Sequence, residues 1–186
     1  MSDAASSLSS PPARDDRAYE LRQWRPGDEA TLLAIVSDTA IHRFTTMPHH
    51  KTQSGWSRWI ADRQDDARAG TALFLAIDTR EGPVGSVNLL RCDWSNRKAE
   101  LGFWMAPEHR RRGIMTSALS DLSRWCFTDH GLLRLELLIL PANEPSVGLA
   151  ARVGYTNEGL LRSFRLYRGQ RLDLQCFSLL PEDLAG

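Results

Sequence analysis

Residues 98 to 126 constrain the fold more than any other stretch of the chain. Lys98 to Met105 has the make-up of a strand. Pro107-Glu108-His109-Arg110-Arg111-Arg112-Gly113 follows as a basic turn with one glycine. Ile114, Met115, Ala118, Leu119, Leu122, Trp125 and Cys126 then recur at three- and four-residue steps. Those steps put seven apolar side chains on one helix face, and Gly131 stops the helix. A strand that feeds an amphipathic helix needs a sheet for the helix to cover.

The flanking segments supply that sheet. Tyr19 to Trp24 is a candidate first strand, and Pro26-Gly27-Asp28 a turn leading to a helix from Glu29 to near Asp38, with Asp28 as its cap. Ile41 to Gly55 is irregular. Trp56, Trp59, Ile60 and Arg63 return to helical spacing as far as Gly70. Leu73 to Ile77 and Val84 to Leu89, around Glu81-Gly82-Pro83, form a hairpin. Leu133 to Ile139 is a buried strand, Pro145 to Val153 a helix closed by Gly154, and Tyr155 to Leu160 and Gln175 to Leu179 two last strands. The expected class is α/β (α+β): a mixed sheet flanked by helices, in one domain from residue 18 to 186. Residues 1 to 17, with Ser-Ser-Pro-Pro and little apolar character, are expected to be a disordered tail.

Composition narrows the function. The 42% hydrophobic and 25% charged fractions suit a globular core that needs no staples. Lys plus Arg balances Asp plus Glu at 23 each, which speaks against a dedicated nucleic-acid or acidic-membrane binder. Cys92, Cys126 and Cys176 have no metal-type spacing, and His109 and His130 lack partners for a metal, so no metal site is expected. No window approaches the roughly 18 apolar residues of a membrane span, and Met1 to Arg14 lacks a secretory apolar core. The expected compartment is the cytoplasm.

The turn carries the chemistry. A helix start presents unpaired N–H groups at its positive dipole end, which suits phosphate. Gly113 lets a backbone approach the anion, and Arg110, Arg111 and Arg112 add charge. The glycines of a Rossmann loop and the lysine of a Walker loop are missing. A solvated Arg-rich loop and a local nucleic-acid patch are the competing readings of the turn alone.

Its surroundings resemble the GNAT superfamily of N-acetyltransferases, in the branch that acetylates N-termini of ribosomal proteins. The resemblance rests on an ordered set. Glu100-Leu101-Gly102-Phe103-Trp104 is followed by Arg110-Arg111-Arg112-Gly113-Ile114-Met115, then by Asn143-Glu144-Pro145-Ser146 and Gly154-Tyr155. Gly159-Leu160-Leu161-Arg162, Gly169, Asp173 and Ser178-Leu179-Leu180 complete it, over roughly residues 19 to 180. Met115 stands where Gly or Ala is common, and Ala150 where many members have the tyrosine that reprotonates the leaving thiolate.

The resemblance implies a GNAT fold with a mostly antiparallel sheet of six to seven strands, and acetyl-CoA as co-substrate without a metal. Pyrophosphate would sit on Arg111 to Thr116, including Ile114. The pantetheine arm and carbonyl would pair with Phe103, Trp104 and Met105. Asn143 would hold the arm, a role that competes with helix capping. Ser146 lies one turn before Ala150 on the same helix face and inherits the acid role. Glu100 is the candidate base, direct or through a water; a strand glutamate paired with an arginine is the alternative. Trp56, His49, Arg162 and Tyr167 are candidate acceptor contacts, set against a stacked aromatic core, the favoured reading, for Trp56 and a solvated loop for His49. The acceptor would be a peptide or small-molecule amine, and the branch commonly forms homodimers. Rival readings keep the fold with a succinyl-CoA donor, or reduce the chain to a catalytically silent acyl-CoA-binding module.

Overall fold

The computed structural model describes residues 7–14 and 16–185. In chain order the elements are β1 (Tyr19–Gln23), α1 (Glu29–Val36), α2 (Thr39–Phe44), α3 (Gln53–Arg68), β2 (Leu73–Thr79), β3 (Gly82–Asp93), β4 (Lys98–Met105), α4 (Ile114–Thr128), β5 (Arg134–Ile139), α5 (Glu144–Val153), β6 (Thr156–Tyr167) and β7 (Gln170–Leu179). Short 3-10 turns occupy Pro107–His109 and Pro181–Ala185. The strands form one seven-stranded sheet in the order β1-β2-β3-β4-β5-β7-β6. All neighbours are antiparallel except β4 and β5. A parallel pair requires a crossover, and α4 is that crossover.

Side chains of successive strand residues point to opposite faces, and the two faces have separate cores. Leu75 and Ile77 of β2 and Leu101 and Met105 of β4 pack with Ala118, Leu119 and Leu122 of α4. Ala76 and Trp104 instead pack with Leu32 of α1 and Trp56 and Ile60 of α3. Trp24 stacks on Trp104 with ring centres 5.8 Å apart, and its Nε1 donates to Ser86 Oγ at 3.2 Å.

The feature that positions the site is a divergence of the two parallel strands. β4 and β5 pair only from Lys98–Arg134 to Leu101–Leu137. β4 then runs on beside β3 to Met105, while β5 runs on beside β7 to Ile139. Gly102 to Met105 therefore border a wedge with no strand partner on the β5 side.

Three local expectations are corrected. Order begins before residue 18: Leu8 is 3% exposed in the core that α4 covers, its amide donates to Ala67 O at 2.8 Å, and Arg17 forks onto Asp121 of α4. The remainder of the expected tail, residues 1–6 and 15, lies outside the described residues. The irregular stretch after Asp38 contains α2, capped by Asp38, which accepts from Ala40 N at 3.0 Å. The last two strands are longer than expected and form a hairpin from Thr156 to Leu179. No helix among the described residues is long and apolar enough to cross a membrane.

Candidate active site

The turn after β4 has a backbone that invites an anion. Arg111 (φ 62°) and Gly113 (φ 78°) are both left-handed, a conformation in which consecutive amides line a concavity. For Arg111, a non-glycine residue, that geometry costs about 1 kcal/mol and is typical of ligand clamps. A Cβ built on Gly113 would meet nothing within 4 Å, so the space in front of it is open. The first amide of α4 with an internal partner is Ser117 N, which donates to Gly113 O at 3.1 Å. Among the described residues no acceptor pairs with the amides of Arg111, Arg112, Gly113, Ile114, Met115 or Thr116. Six consecutive donors at the positive end of a 15-residue helix fit a diphosphate.

The arginines divide. Arg111 and Arg112 are exposed and make no ion pair among the described residues. Arg110 is a strut: its Nε donates to Met105 O at 2.9 Å, and its Nη2 reaches Asp38. Burial opposes ionisation of Asp38, but the Ala40 amide and the Arg110 guanidinium outweigh it and hold the carboxyl below its usual range. Arg110 thus fixes the turn against β4 and α2.

The wedge opens into a cleft of about 190 Å³. Glu100 to Trp104, Leu137 to Leu140, Asn143, Ser146 and Arg165 line it from the sheet and α5, and Phe44 to Pro48 from the other side. Glu100 is 7% exposed. Its Oε2 accepts from Arg91 Nη2 on the neighbouring strand, and its Oε1 from Arg165 Nη2 at 3.1 Å. Asn143 caps α5: its Oδ1 accepts from Ser146 N at 3.4 Å. Its Nδ2 has no partner among the described residues, so capping and ligand contact are compatible. Ser146 Oγ is likewise without an internal partner. Ala150 is fully buried. Tyr155 is not a substitute acid, because its hydroxyl is spent on Ser123 at 2.9 Å in the α4 core, and burial raises its pKa.

Residues 19–156 match the acetyltransferase (GNAT) domain family. The chain belongs to the GNAT acetyltransferases. It is 32% identical over 168 residues to the uncharacterized N-acetyltransferase p20 of Bacillus licheniformis, covering 89% of this chain and 94% of the relative. It is 25% identical over 139 residues to the ribosomal protein uS5-alanine N-acetyltransferase of Escherichia coli, covering 72% and 71%. The structure of Mycobacterium smegmatis RimJ in complex with CoA-disulfide superposes with a TM-score of 0.83 at 27% identity, covering 90% of this chain and 84% of that one. This GNAT chain is an acetyl-CoA-dependent N-acetyltransferase that acts on an amine.

None of the four candidate acceptor contacts, Trp56, His49, Arg162 and Tyr167, is in the cleft lining. Trp56 is fully buried, edge-on to Trp59 at 5.7 Å; it is core, and Trp59 lines the cleft in its place. His49 is exposed, stacks on His42 with centres 3.5 Å apart, and touches Arg168. Tyr167 is half-buried beside Arg168 in the β6–β7 hairpin, and Arg162 is exposed, without a polar contact among the described residues. The residues missed are Arg91 and Arg165, which hold Glu100, and Phe44 to Pro48, which wall the cleft. Arg168-Gly169, both at positive φ, was the available signal for the hairpin that brings Arg165 in. Among the described residues no group of three or more His, Cys, Asp or Glu is placed to hold a metal.

Proposed function

We propose that the chain acetylates a primary amine, on a protein N-terminus or a small molecule, by direct attack in a ternary complex at the β4–β5 wedge. The observation that carries this is the run of unpaired amides from Arg111 to Thr116. It begins six residues after β4 ends, so a diphosphate held there directs a pantetheine arm along Phe103, Trp104 and Met105 toward Glu100. Acetyl-CoA supplies the activated acyl group when bound.

In this reading the wedge-side amides of Gly102 to Met105 orient the arm and meet charge as it develops on the acyl oxygen, an effect worth a few kcal/mol per donor, roughly. Asn143 Nδ2 adds a bond to the arm. Ser146 Oγ returns a proton to the leaving sulfur. Glu100 draws the proton from the amine. Both of its oxygens already accept from a guanidinium, each keeping a second lone-pair direction, which favours relay through a water over direct contact. An α-amine with a pKa of about 8 needs little help near neutrality, and lysine at about 10.4 needs more. The same reading places the protein in the cytoplasm. It also includes a homodimer, supported by the edge strand β6, where Leu160, Phe164 and Leu166 are at least half exposed.

The test is CoA release from acetyl-CoA and succinyl-CoA with a panel of N-terminal peptides and small amines. Release that depends on both acetyl-CoA and an acceptor supports the reading. Faster release from succinyl-CoA reassigns the donor. CoA binding without release across the panel makes the chain a silent binding module.

A further inference from the structure

The chain as a whole is neutral, yet its charge is not spread evenly. Residues 41–52 and 161–172 contain Arg43, Lys51, Arg162, Arg165, Arg168 and Arg171 and no Asp or Glu. These two segments face one another across the cleft: Phe44 to Pro48 line one wall, Arg165 lines the other, and Arg168 touches His49 at the rim. The nearest acid on the hairpin, Asp173, is engaged by the Ser163 amide at 2.6 Å. Among the described residues the only acid in the cleft lining is Glu100, and two guanidiniums share it. Arg63 also lines the cleft, 3.0 Å from Asp66, which does not.

Arg165 supplies the second observation. A guanidinium has five N–H donors, and among the described residues Arg165 uses one, toward Glu100 at 3.1 Å. The remaining donors sit in the cleft wall, with the side chain about three-quarters buried, beside the carboxylate assigned to the amine proton. A largely buried arginine with a free fork donates bidentately to a carboxylate or phosphate.

We infer that the acceptor is an amine carrying a negative charge close to the reacting nitrogen, anchored by Arg165 and steered by the Lys51–Arg168 rim. Polyamines and Lys-rich N-termini are selected against by the same field. This inference rests on the acyltransferase reading of the cleft. The anion comes from a carboxylate, as in a peptide whose second and third residues are Asp or Glu, or from a phosphate, as in a phosphorylated aminoalcohol.

The experiment measures kcat/KM for CoA release from acetyl-CoA at low and moderate salt. Acceptors are Ala-initiated peptides that are acidic, neutral or basic at positions two and three, together with O-phosphoethanolamine and spermidine. The acidic peptide is expected to exceed the neutral one by about tenfold or more, mostly through KM, and the advantage to shrink with salt. If O-phosphoethanolamine shows the advantage instead, phosphate is the anion. Reversing the rim with Lys51→Glu and Arg168→Glu together should bring the acidic-to-neutral ratio to about one, with CoA affinity by calorimetry unchanged. Equal rates across the panel, or a preference for spermidine, overturn the inference and leave the acetyltransferase reading standing. A neutral acceptor used faster with succinyl-CoA than with acetyl-CoA overturns it too, by assigning the anion to the donor. Absence of CoA release with every acceptor overturns both.

Discussion

Gly113 is where the reading of the turn is most exposed to refutation. Its φ of 78° is left-handed, and no atom lies within 4 Å of a built Cβ, so any side chain there is strained by backbone alone and not by crowding. That strain is about 1 kcal/mol for alanine and less for Asn or Asp, which tolerate the conformation. Gly113→Asn and Gly113→Asp therefore differ chiefly in charge. With a carboxylate about 5 Å from one phosphate charge and an effective dielectric of about 20, repulsion is about 3 kcal/mol, or about a hundredfold in Kd. The same carboxylate is favourable to the unliganded helix, since it faces the positive end of α4 and its unpaired amides, by about 0.3–1 kcal/mol. The two variants should therefore dissociate: Gly113→Asp at least as heat-stable as Gly113→Asn, yet binding CoA about a hundredfold more weakly by calorimetry. If their CoA affinities agree within about threefold, the diphosphate does not sit on this turn.

Three further outcomes are expected. Ser146→Ala should lower kcat by about a hundredfold, the ordinary size of a positioned acid's contribution, with CoA affinity nearly unchanged; an undiminished kcat in steady-state assays removes the acid role. Glu100→Gln should slow acetylation most at low pH, where the amine is largely protonated, so a rate deficit independent of pH counts against a base role. Asp121→Asn should lower the melting temperature by a few degrees, because the carboxylate accepts from Arg17 Nε at 2.8 Å, Arg17 Nη2 at 2.9 Å and Tyr19 OH at 2.6 Å. Burial pushes the Asp121 pKa up, but the Arg17 and Tyr19 bonds prevail and hold it below the usual carboxylate range. Its stabilisation is thus complete above about pH 4 and lost as pH falls through the depressed value, so the melting curves of variant and parent should converge in acid. A constant gap down to strong acid would refute that assignment.

The strand, turn and helix from Lys98 to Thr128 were legible because their signal is local. α4 writes its buried face in three- and four-residue steps, and the turn announces itself by arginines and a glycine. The β6–β7 hairpin was half legible for the opposite reason. β6 is an edge strand, nearly all exposed, with register breaks between Asn157 and Gly159 and between Leu161 and Arg165. It has no hydrophobic alternation to read. The Glu100–Arg165 bond joins residues 65 positions apart, and spacing carries no trace of such a contact. For Trp56 the helical period was right, but it could not say which side of α3 meets the sheet and which meets the cleft. Leu8 is a single apolar residue in a Ser- and Pro-rich run, too little to show that the run packs down.

In the proposed reading, the alternation along β4 lets one short segment serve both ends of a long co-substrate. Leu101 and Met105 face the core under α4, whereas Glu100 and Trp104 lie with the cleft and the α1–α3 side. The turn's unpaired amides begin the helix that covers the first face, and the cleft wall from Phe44 to Pro48 belongs to the second. A ligand that touches both must pass through the sheet. The sheet can be crossed where β4 and β5 part after Leu101 and Leu137. Gly102 stands at that point, and a Cβ there would come within 2.7 Å of Leu90 Cδ1, itself part of the cleft lining. The glycine thus lets Leu90 of β3 pack closely over β4 where the strands separate. A parallel pair inside an otherwise antiparallel sheet is what creates the passage, because its crossover α4 delivers unpaired helix amides at one end of β4 while β5 leads into the cap of α5 at the other wall.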